Sequence, residues 1–325
     1  MGVQRKIKKA VSNSAIAVSQ AFEEFIAEKE AKNLAPSSLR NYRQSYNYFM
    51  EFNSFTEETT ADEITSNHFF HWIGNMKLEG VKPTSINHYL RDCRTFFYWC
   101  MATDREYIKP AFKIEMIKGQ EEPLKMFTDE DIENLLIKPR INDSFATWRT
   151  WAIVNWVLGT GNRAATICDV QVGDIDFKAK EIALRHTKSK KAQIIPLSSS
   201  LGTVLKEYMR IWRQDVEGEA WLFPNVGEEQ LTTNALRHSF SKYCHDREAD
   251  RTNIHGLRHN FARAWIRNGG GLVQLQRILG HSTLDMTRRY VNLFADDIKE
   301  DFDDFSPLDN IKKAAKRTHA IKRAK

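Results

Sequence analysis

Apolar residues along this chain follow a helical period in most places and a strand period in a few. Four stretches, Ser14 to Lys32, Ser38 to Asn53, Ser66 to Leu78 and Thr84 to Ala102, repeat their apolar positions about every 3.6 residues, the second and fourth starting just after Pro36 and Pro83. They predict a small helical bundle over 14–105, preceded by a basic arm, 1–13, that carries Arg5, Lys6, Lys8 and Lys9 and no acid. The period then breaks. Residues 106–124, with Pro110, Gly119 and Pro123, read as an interdomain linker, although Phe112, Ile114 and Met116 alternate as in a short extended segment.

A second domain, 125–295, starts where Thr128 caps a helix that has Glu130 and Asp131 in its first turn, at the positive end of the helix dipole. Trp148 to Leu158 has the pattern of a buried helix and ends in the glycine-rich turn Gly159-Thr160-Gly161-Asn162-Arg163. Asp174 to Phe177, Glu181 to Leu184 and Gln193 to Leu197 predict short strands, the last two joined by a basic loop, His186 to Lys191. Helical patterns follow over Leu201 to Arg213 and Thr233 to Asp246, separated by the short buried segment Trp221 to Pro224. Leu257, Phe261, Ala264 and Trp265 then place a further helix before the stop at Gly269 to Gly271. The fold class is therefore mainly α with a small β-sheet: a helical bundle, then a helix-rich α+β domain. Residues 296–325 separate into an acidic half and a basic half, and read as a tail.

Length and composition narrow the class without deciding it. The 325 residues, 42% of them hydrophobic, suffice for about two domains. Lys and Arg (48) exceed Asp and Glu (42), a net charge of +6 that suits a polyanionic partner and many enzymes besides. Cys93, Cys100, Cys168 and Cys244 form no C-x-x-C pair, and no signal sequence opens the chain, so a reducing cytoplasmic location is expected. The most apolar run, Trp151 to Leu158, is too short to span a bilayer, which needs about 20 residues.

The chemistry concentrates between His255 and Tyr290. His255 and Arg258, three apart, share a helix face; His281 and Tyr290 follow. Phosphodiester displacement needs a nucleophile, cations on the non-bridging oxygens and an acid for the leaving oxygen. Guanidinium forks suit phosphate, His and Lys can move protons, and Tyr290 is the natural nucleophile. Only about a thousandth of an unperturbed tyrosine is phenolate at neutral pH, so nearby cations or a base, such as Arg258 or His255, must assist it. A tyrosyl ester retains the energy of the broken bond, which fits the lack of a G-x-x-x-x-G-K-[ST] loop, and no carboxylate cluster for two metals is evident. The spacing of His255 and His259 admits a zinc pair, but the glutamate of H-E-x-x-H is missing, and His259 reads instead as a structural donor. In the bundle, Arg40, Arg43, Asn87, His88, Arg91 and Arg94 stand among aromatics such as Tyr42, Phe96, Phe97 and Trp99; a solvated amphipathic face and a DNA-contacting face are both open readings.

Together these residues resemble the tyrosine recombinases, the phage integrases and Xer-type enzymes. The H-x-x-R box is His255 to Arg258, the L-G-H motif is Leu279 to His281 with its His 23 residues after that Arg, and Tyr290 follows nine residues later. The first-box turn T-G-x-R is Thr160 to Arg163, and Lys188 lies eight residues before Pro196 as the family's strand-loop Lys does, with Lys190 and Lys191 as less favoured substitutes. Two positions depart from the pattern: Thr166 stands where the family has an acid, leaving Asp169 as the nearest one, and Asn162 replaces an apolar residue.

The resemblance implies a SAM-like core-binding bundle that clamps DNA opposite the catalytic domain. It implies that Arg163, Arg258, His255 and His281 bind the scissile phosphate, that His255 also assists proton transfer, that Lys188 protonates the 5′ oxygen and that Tyr290 forms a 3′-phosphotyrosyl link. Arg40, Arg43, Asn87, His88, Arg91, Arg94, Lys190 and Lys191 become candidate DNA contacts. The expected partners are double-stranded DNA, three further copies in a tetrameric synapse that passes through a Holliday junction, and accessory proteins; no cofactor, metal or membrane is expected. The tail, 296–325, is expected to dock on a neighbouring protomer. The rival readings are a type IB topoisomerase-like enzyme and a non-catalytic DNA-binding relative.

Overall fold

The structure is a computed structural model that describes residues 16–119, 126–185, 192–281 and 283–293. The basic arm, the loop that carries Lys188, Lys190 and Lys191, and the tail 296–325 lie outside the described residues. The chain divides into two compact units, Met1–Glu122 and Pro123–Lys325.

The first unit is helical. α1 (Val18–Ala31), α2 (Pro36–Phe52), α3 (Ser66–Leu78) and α4 (Pro83–Cys100) enclose a core rich in aromatic rings. Proline opens α2 and α4, where its fixed φ suits the first turn and its missing N–H costs no intrahelical hydrogen bond. Phe22 stacks on Tyr46 with centroids 3.8 Å apart, and Phe96 meets Phe22 edge-on at 5.1 Å. The rings of α2 and α4 are thus largely core. Much of the segment expected to be a free linker also belongs to this unit: Ile108 and Ile114 are buried in its core, and Phe112 and Ile117 pack against it. The alternation of Phe112 and Ile114 reflects this packing, and the segment forms no strand.

The second unit is built on one central helix. α5 (Asp129–Leu136) opens with a capping box in which Thr128 Oγ1 accepts from the Asp131 N–H. α6 (Phe145–Thr160) follows, buried nearly all round by Trp148, Trp151, Ile153, Val154, Trp156 and Val157. After the short α7 (Ala164–Cys168) comes an antiparallel sheet of β1 (Ile175–Asp176), β2 (Glu181–Leu184) and β3 (Gln193–Pro196) in the order β1-β2-β3. Ile182 pairs with Ile195, and both face inward, as strand alternation requires. α8 (Ser199–Trp212), α9 (Thr233–His245) and α10 (Ile254–Arg267) pack on α6, and α11 (Leu272–Leu279) and α12 (Asp285–Leu293) complete the unit against α10. All four cysteines are free and buried, Cys93 and Cys100 in the first unit and Cys168 and Cys244 in the second. No described helix is long and apolar enough to cross a membrane.

The end of α6 sets the site. Gly161 caps it in the left-handed region, with φ at 64°. A methyl group there would lie 2.5 Å from Phe261 Cδ1 and 2.6 Å from Leu279 Cδ2, so the turn needs glycine for conformation and for space. The next residue, Asn162, is buried and accepts the Trp156 indole N–H at 3.0 Å, which explains a polar side chain where an apolar one was expected. Gly161→Ala is therefore expected to destabilise the second unit by about 1–3 kcal/mol. Denaturant unfolding followed by tryptophan fluorescence should show the lowered midpoint, and an unchanged midpoint would contradict the close packing of this turn.

Candidate active site

α10 presents Arg258 inward and His255 toward solvent. Arg258 is 2% exposed, and its guanidinium is held from several sides. Nη1 donates to the Gly161 carbonyl at 2.6 Å, while Nη2 donates to the Leu279 carbonyl at 2.9 Å and to His281 Nε2 at 2.8 Å. The Tyr290 hydroxyl also acts electrostatically on this guanidinium. One side chain thereby joins the end of α6, the end of α11 and the nucleophile candidate on α12.

Arg163, at the N-cap of α7, reaches the same place. Its Nη1 donates to the carbonyls of Leu279 at 3.2 Å and Gly280 at 3.5 Å, where α11 ends in a left-handed glycine. The last carbonyls of a helix lack intrahelical partners and carry partial negative charge, so they suit a cation. Asp169 Oδ1, the nearest acid in sequence, accepts from Gln230 Nε2 at 2.5 Å. Among the described residues, Arg163 is thus anchored on backbone carbonyls in place of the acid that Thr166 replaces.

The hydrogen bonds fix the state of His281. Arginine only donates, so Nε2 must accept; the ring proton then sits on Nδ1, which faces Thr287 Oγ1 at 2.8 Å. Burial, followed by the charges of Arg258, Arg163 and His255, pushes its pKa down to about 4. His255 is lowered by crowding and by the same two arginines, although its ring reaches solvent. Burial and the Arg163 charge bring Arg258 down to about 10, still a cation at neutral pH, and burial lowers Arg163. Among the described residues, the partners of the two guanidinium ions are carbonyl oxygens, an imidazole and a phenol, with no carboxylate. Two cations oriented in this way, and not neutralised, suit an anionic ligand.

Tyr290 is 5% exposed and packs in a small apolar cluster with Phe261, Ala262, Leu275 and Leu279. Its ring lies parallel to that of His281, with 2° between the planes and 6.2 Å between centroids. His259 Nδ1 is 3.1 Å from its hydroxyl, a contact that sequence reasoning missed when it gave His259 a structural role. The available signal was spacing, since His259 follows Arg258 directly and lies one helical turn beyond His255.

The structure thus brings together Arg163, His255, Arg258, His281 and Tyr290. Lys188 lies outside the described residues, but both ends of its loop are fixed: Arg185 Nε bonds Asp174 at 2.6 Å, and Gln193 Nε2 donates to the Arg277 carbonyl on α11.

Of the DNA-contact candidates in the first unit, Arg40 and Arg91 are exposed. Arg43 pairs with Glu23 at 2.6 Å across two well-exposed side chains, an interaction weak enough for a phosphate to displace. His88 lies 3.6 Å from Asp92, and Arg94 sits over the Tyr98 ring at 5.0 Å. The Asn87 amide is occupied at both ends, donating to the Ile117 carbonyl at 2.9 Å and accepting the Ile117 N–H at 3.0 Å, so it holds the segment that follows α4. Lys190 and Lys191 lie outside the described residues.

Comparison with known proteins agrees with this geometry. The chain is 26% identical over 287 residues to the tyrosine recombinase XerC of Thermodesulfovibrio yellowstonii, covering 86% of this chain and 93% of that protein. Its fold resembles that of the Tn1549 transposon integrase in complex with a circular intermediate DNA, with a TM-score of 0.67 at 19% identity, over 85% of this chain and 95% of that one. The XerH site-specific recombinase, bound to its palindromic difH substrate in a post-cleavage complex, matches with a TM-score of 0.67 at 18% identity, over 87% of this chain and 83% of that one. The N-terminal SAM-like domain of phage integrases matches residues 20–104, and the phage integrase family model matches 125–296. The chain therefore belongs to the phage integrase family of tyrosine recombinases.

Proposed function

We propose that this protein is a site-specific DNA recombinase that cuts and rejoins duplex DNA through a covalent link to Tyr290. The carrying observation is the cluster of Arg163, Arg258, His255 and His281 around that hydroxyl, with the pKa of each held below its ordinary value and, among the described residues, no acid bonded to either guanidinium. A scissile phosphate supplies the balancing negative charge. Its non-bridging oxygens take the N–H groups of the two guanidinium groups that the carbonyl contacts leave over, while those contacts aim the side chains. Tyr290 packs against the arginine-bearing site of its own chain, which supports attack in cis.

The phosphate also changes the histidines. Neutral His281 has committed its N–H to Thr287, so it donates to the phosphate only after Nε2 gains a proton, which the approaching anion favours. His255, open to solvent, donates to a non-bridging oxygen and moves protons during the reaction. Lys188, on the loop between β2 and β3, protonates the leaving 5′ oxygen. Charge stabilisation then comes from side chains, and neither metal nor ATP takes part. The first unit adds DNA contacts of its own through Arg40, Arg43, Arg91 and Arg94. Four protomers hold two duplexes and exchange strands in two steps through a Holliday junction; the similar recombinases solved in complex with DNA support duplex DNA as the partner.

Nicked DNA carrying a site selected by binding to the protein tests the chemistry. In chelator, the wild type should form a protein–DNA adduct that survives a denaturing gel, and Tyr290→Phe should form none. An equal adduct from the variant would remove Tyr290 from the reaction, whereas relaxation of supercoiled DNA without site preference would point to a topoisomerase. Affinity should fall steeply as salt rises, because neutralised phosphates release counterions; a flat response would contradict an extended clamp.

The neutral state of His281 in the free protein has a further consequence for stability. Its folded pKa of about 4 lies below the ordinary value of 6.5, so the unfolded chain binds the proton more readily as pH falls through that window. Stability attributable to neutral His281 is complete above pH 6.5 and is lost progressively toward pH 4. Discounted for partial exposure, this amounts to about 1–2 kcal/mol, or a melting point lower by roughly 2–8 °C. His281→Asn should flatten the dependence of melting temperature on pH over that range, and identical profiles would refute the assignment.

A further inference from the structure

A phenol that attacks phosphorus has to release its proton, and the groups around Tyr290 Oη determine where it goes. Arginine only donates hydrogen bonds, so Arg258, whose charge acts on the phenol, cannot take its proton. His259 Nδ1 lies 3.1 Å from that oxygen, within the reach required of a general base. His281 has no ring nitrogen left to accept that proton, since Nε2 accepts from Arg258 and Nδ1 faces Thr287, each at 2.8 Å. The His255 ring meets the His259 ring edge-on, with centroids 4.7 Å apart, and opens to solvent.

We propose that His259 is a catalytic residue, the general base that takes the Tyr290 phenol proton. The proposal rests on the reading of Tyr290 as nucleophile. In the cleavage step the bond from Tyr290 Oη to phosphorus forms and the bond from phosphorus to the 5′ oxygen breaks. The phenol proton passes to His259 Nδ1, and the leaving oxygen takes a proton from the general acid assigned to Lys188 and departs as a 5′-hydroxyl. In rejoining, the 5′-hydroxyl attacks, its proton returns to the acid, and His259 hands its own back to the phenolate. The arrangement divides labour along a single helix: His255 and Arg258 serve the phosphate, while His259, half-buried, serves the nucleophile from the protein side.

The test is single-turnover cleavage of a nicked substrate made in two forms, one with the natural oxygen leaving group and one with sulfur in its place. A leaving thiolate needs no proton, so the sulfur form separates loss of the acid from loss of the base. His259→Phe is expected to slow cleavage by about 10²–10³-fold on both substrates. Lys188→Ala should be slow on the oxygen form and restored on the sulfur form. His259→Asn places an oxygen near the original Nδ1 that can accept the phenol hydrogen bond without taking its proton, and should also cleave slowly. DNA affinity and melting temperature of the two His259 variants should stay near wild type. Cleavage by His259→Asn at the wild-type rate, or restoration of His259→Phe by sulfur, would overturn the proposal. Should His259→Phe fail to fold, His259→Asn carries the test. Failure of the wild type to form an adduct is a different result, since it overturns the Tyr290 reading and the base with it.

Discussion

The architecture of the site depends on one buried cation. Arg258 is taken almost wholly out of water, and burying a charge without compensation would cost several kcal/mol. The compensation comes from separate parts of the chain: the turn after α6, the last turn of α11, the imidazole beyond it and the hydroxyl on α12. Each of these segments is short or ends in a turn, and none would hold its position alone. The guanidinium fork acts as a template that sets their separations, because its N–H groups have fixed directions and each needs an acceptor. Glycine at 161 then becomes a requirement, since that carbonyl can reach Arg258 only if the helix stops in a left-handed turn lodged against Phe261 and Leu279.

A second consequence is electrical. Anchoring Arg163 and Arg258 on carbonyls fixes both side chains without neutralising them. A carboxylate partner would have oriented them as well, at the expense of the field the site presents. The depressed pKa of His281 records burial first and that field second: the ring stays neutral because protonation would place a half-buried charge beside two others. Orientation is supplied by backbone dipoles, and charge is kept for the ligand.

Much of this was legible in the sequence, for reasons that differ by element. Pro36 and Pro83 mark helix starts because proline fits the first turn, and the strand pair over Glu181 to Leu184 and Gln193 to Pro196 shows in its alternation. The buried helix of the second unit shows as an apolar run, Trp151 to Leu158, interrupted only by Asn155. What was hidden shares one property, namely that the partner is backbone or lies far away along the chain. The carbonyls that hold Arg163 belong to Leu279 and Gly280, 116 and 117 residues away, and a carbonyl has no residue code. Asn87 looked like a candidate DNA contact because its occupation by the Ile117 backbone leaves no trace in composition. The segment after α4 looked like a linker because Lys109, Pro110 and Lys113 interrupt the stretch between its core residues, Ile108 and Ile114. His259 was visible as a neighbour of Arg258, but its hydroxyl partner lies 31 residues further on.

The four buried thiols give the fold a built-in reporter. Burial raises the pKa of Cys93 far above the ordinary thiol value and brings Cys168 and Cys244 to about 12, so the reactive thiolate is scarce in the closed state. Alkylation then has to wait for the surrounding core to open, and its rate measures that opening. Because Cys93 and Cys100 sit in one unit and Cys168 and Cys244 in the other, the order in which the thiols are modified separates the breathing of the two units within a single unlabelled chain.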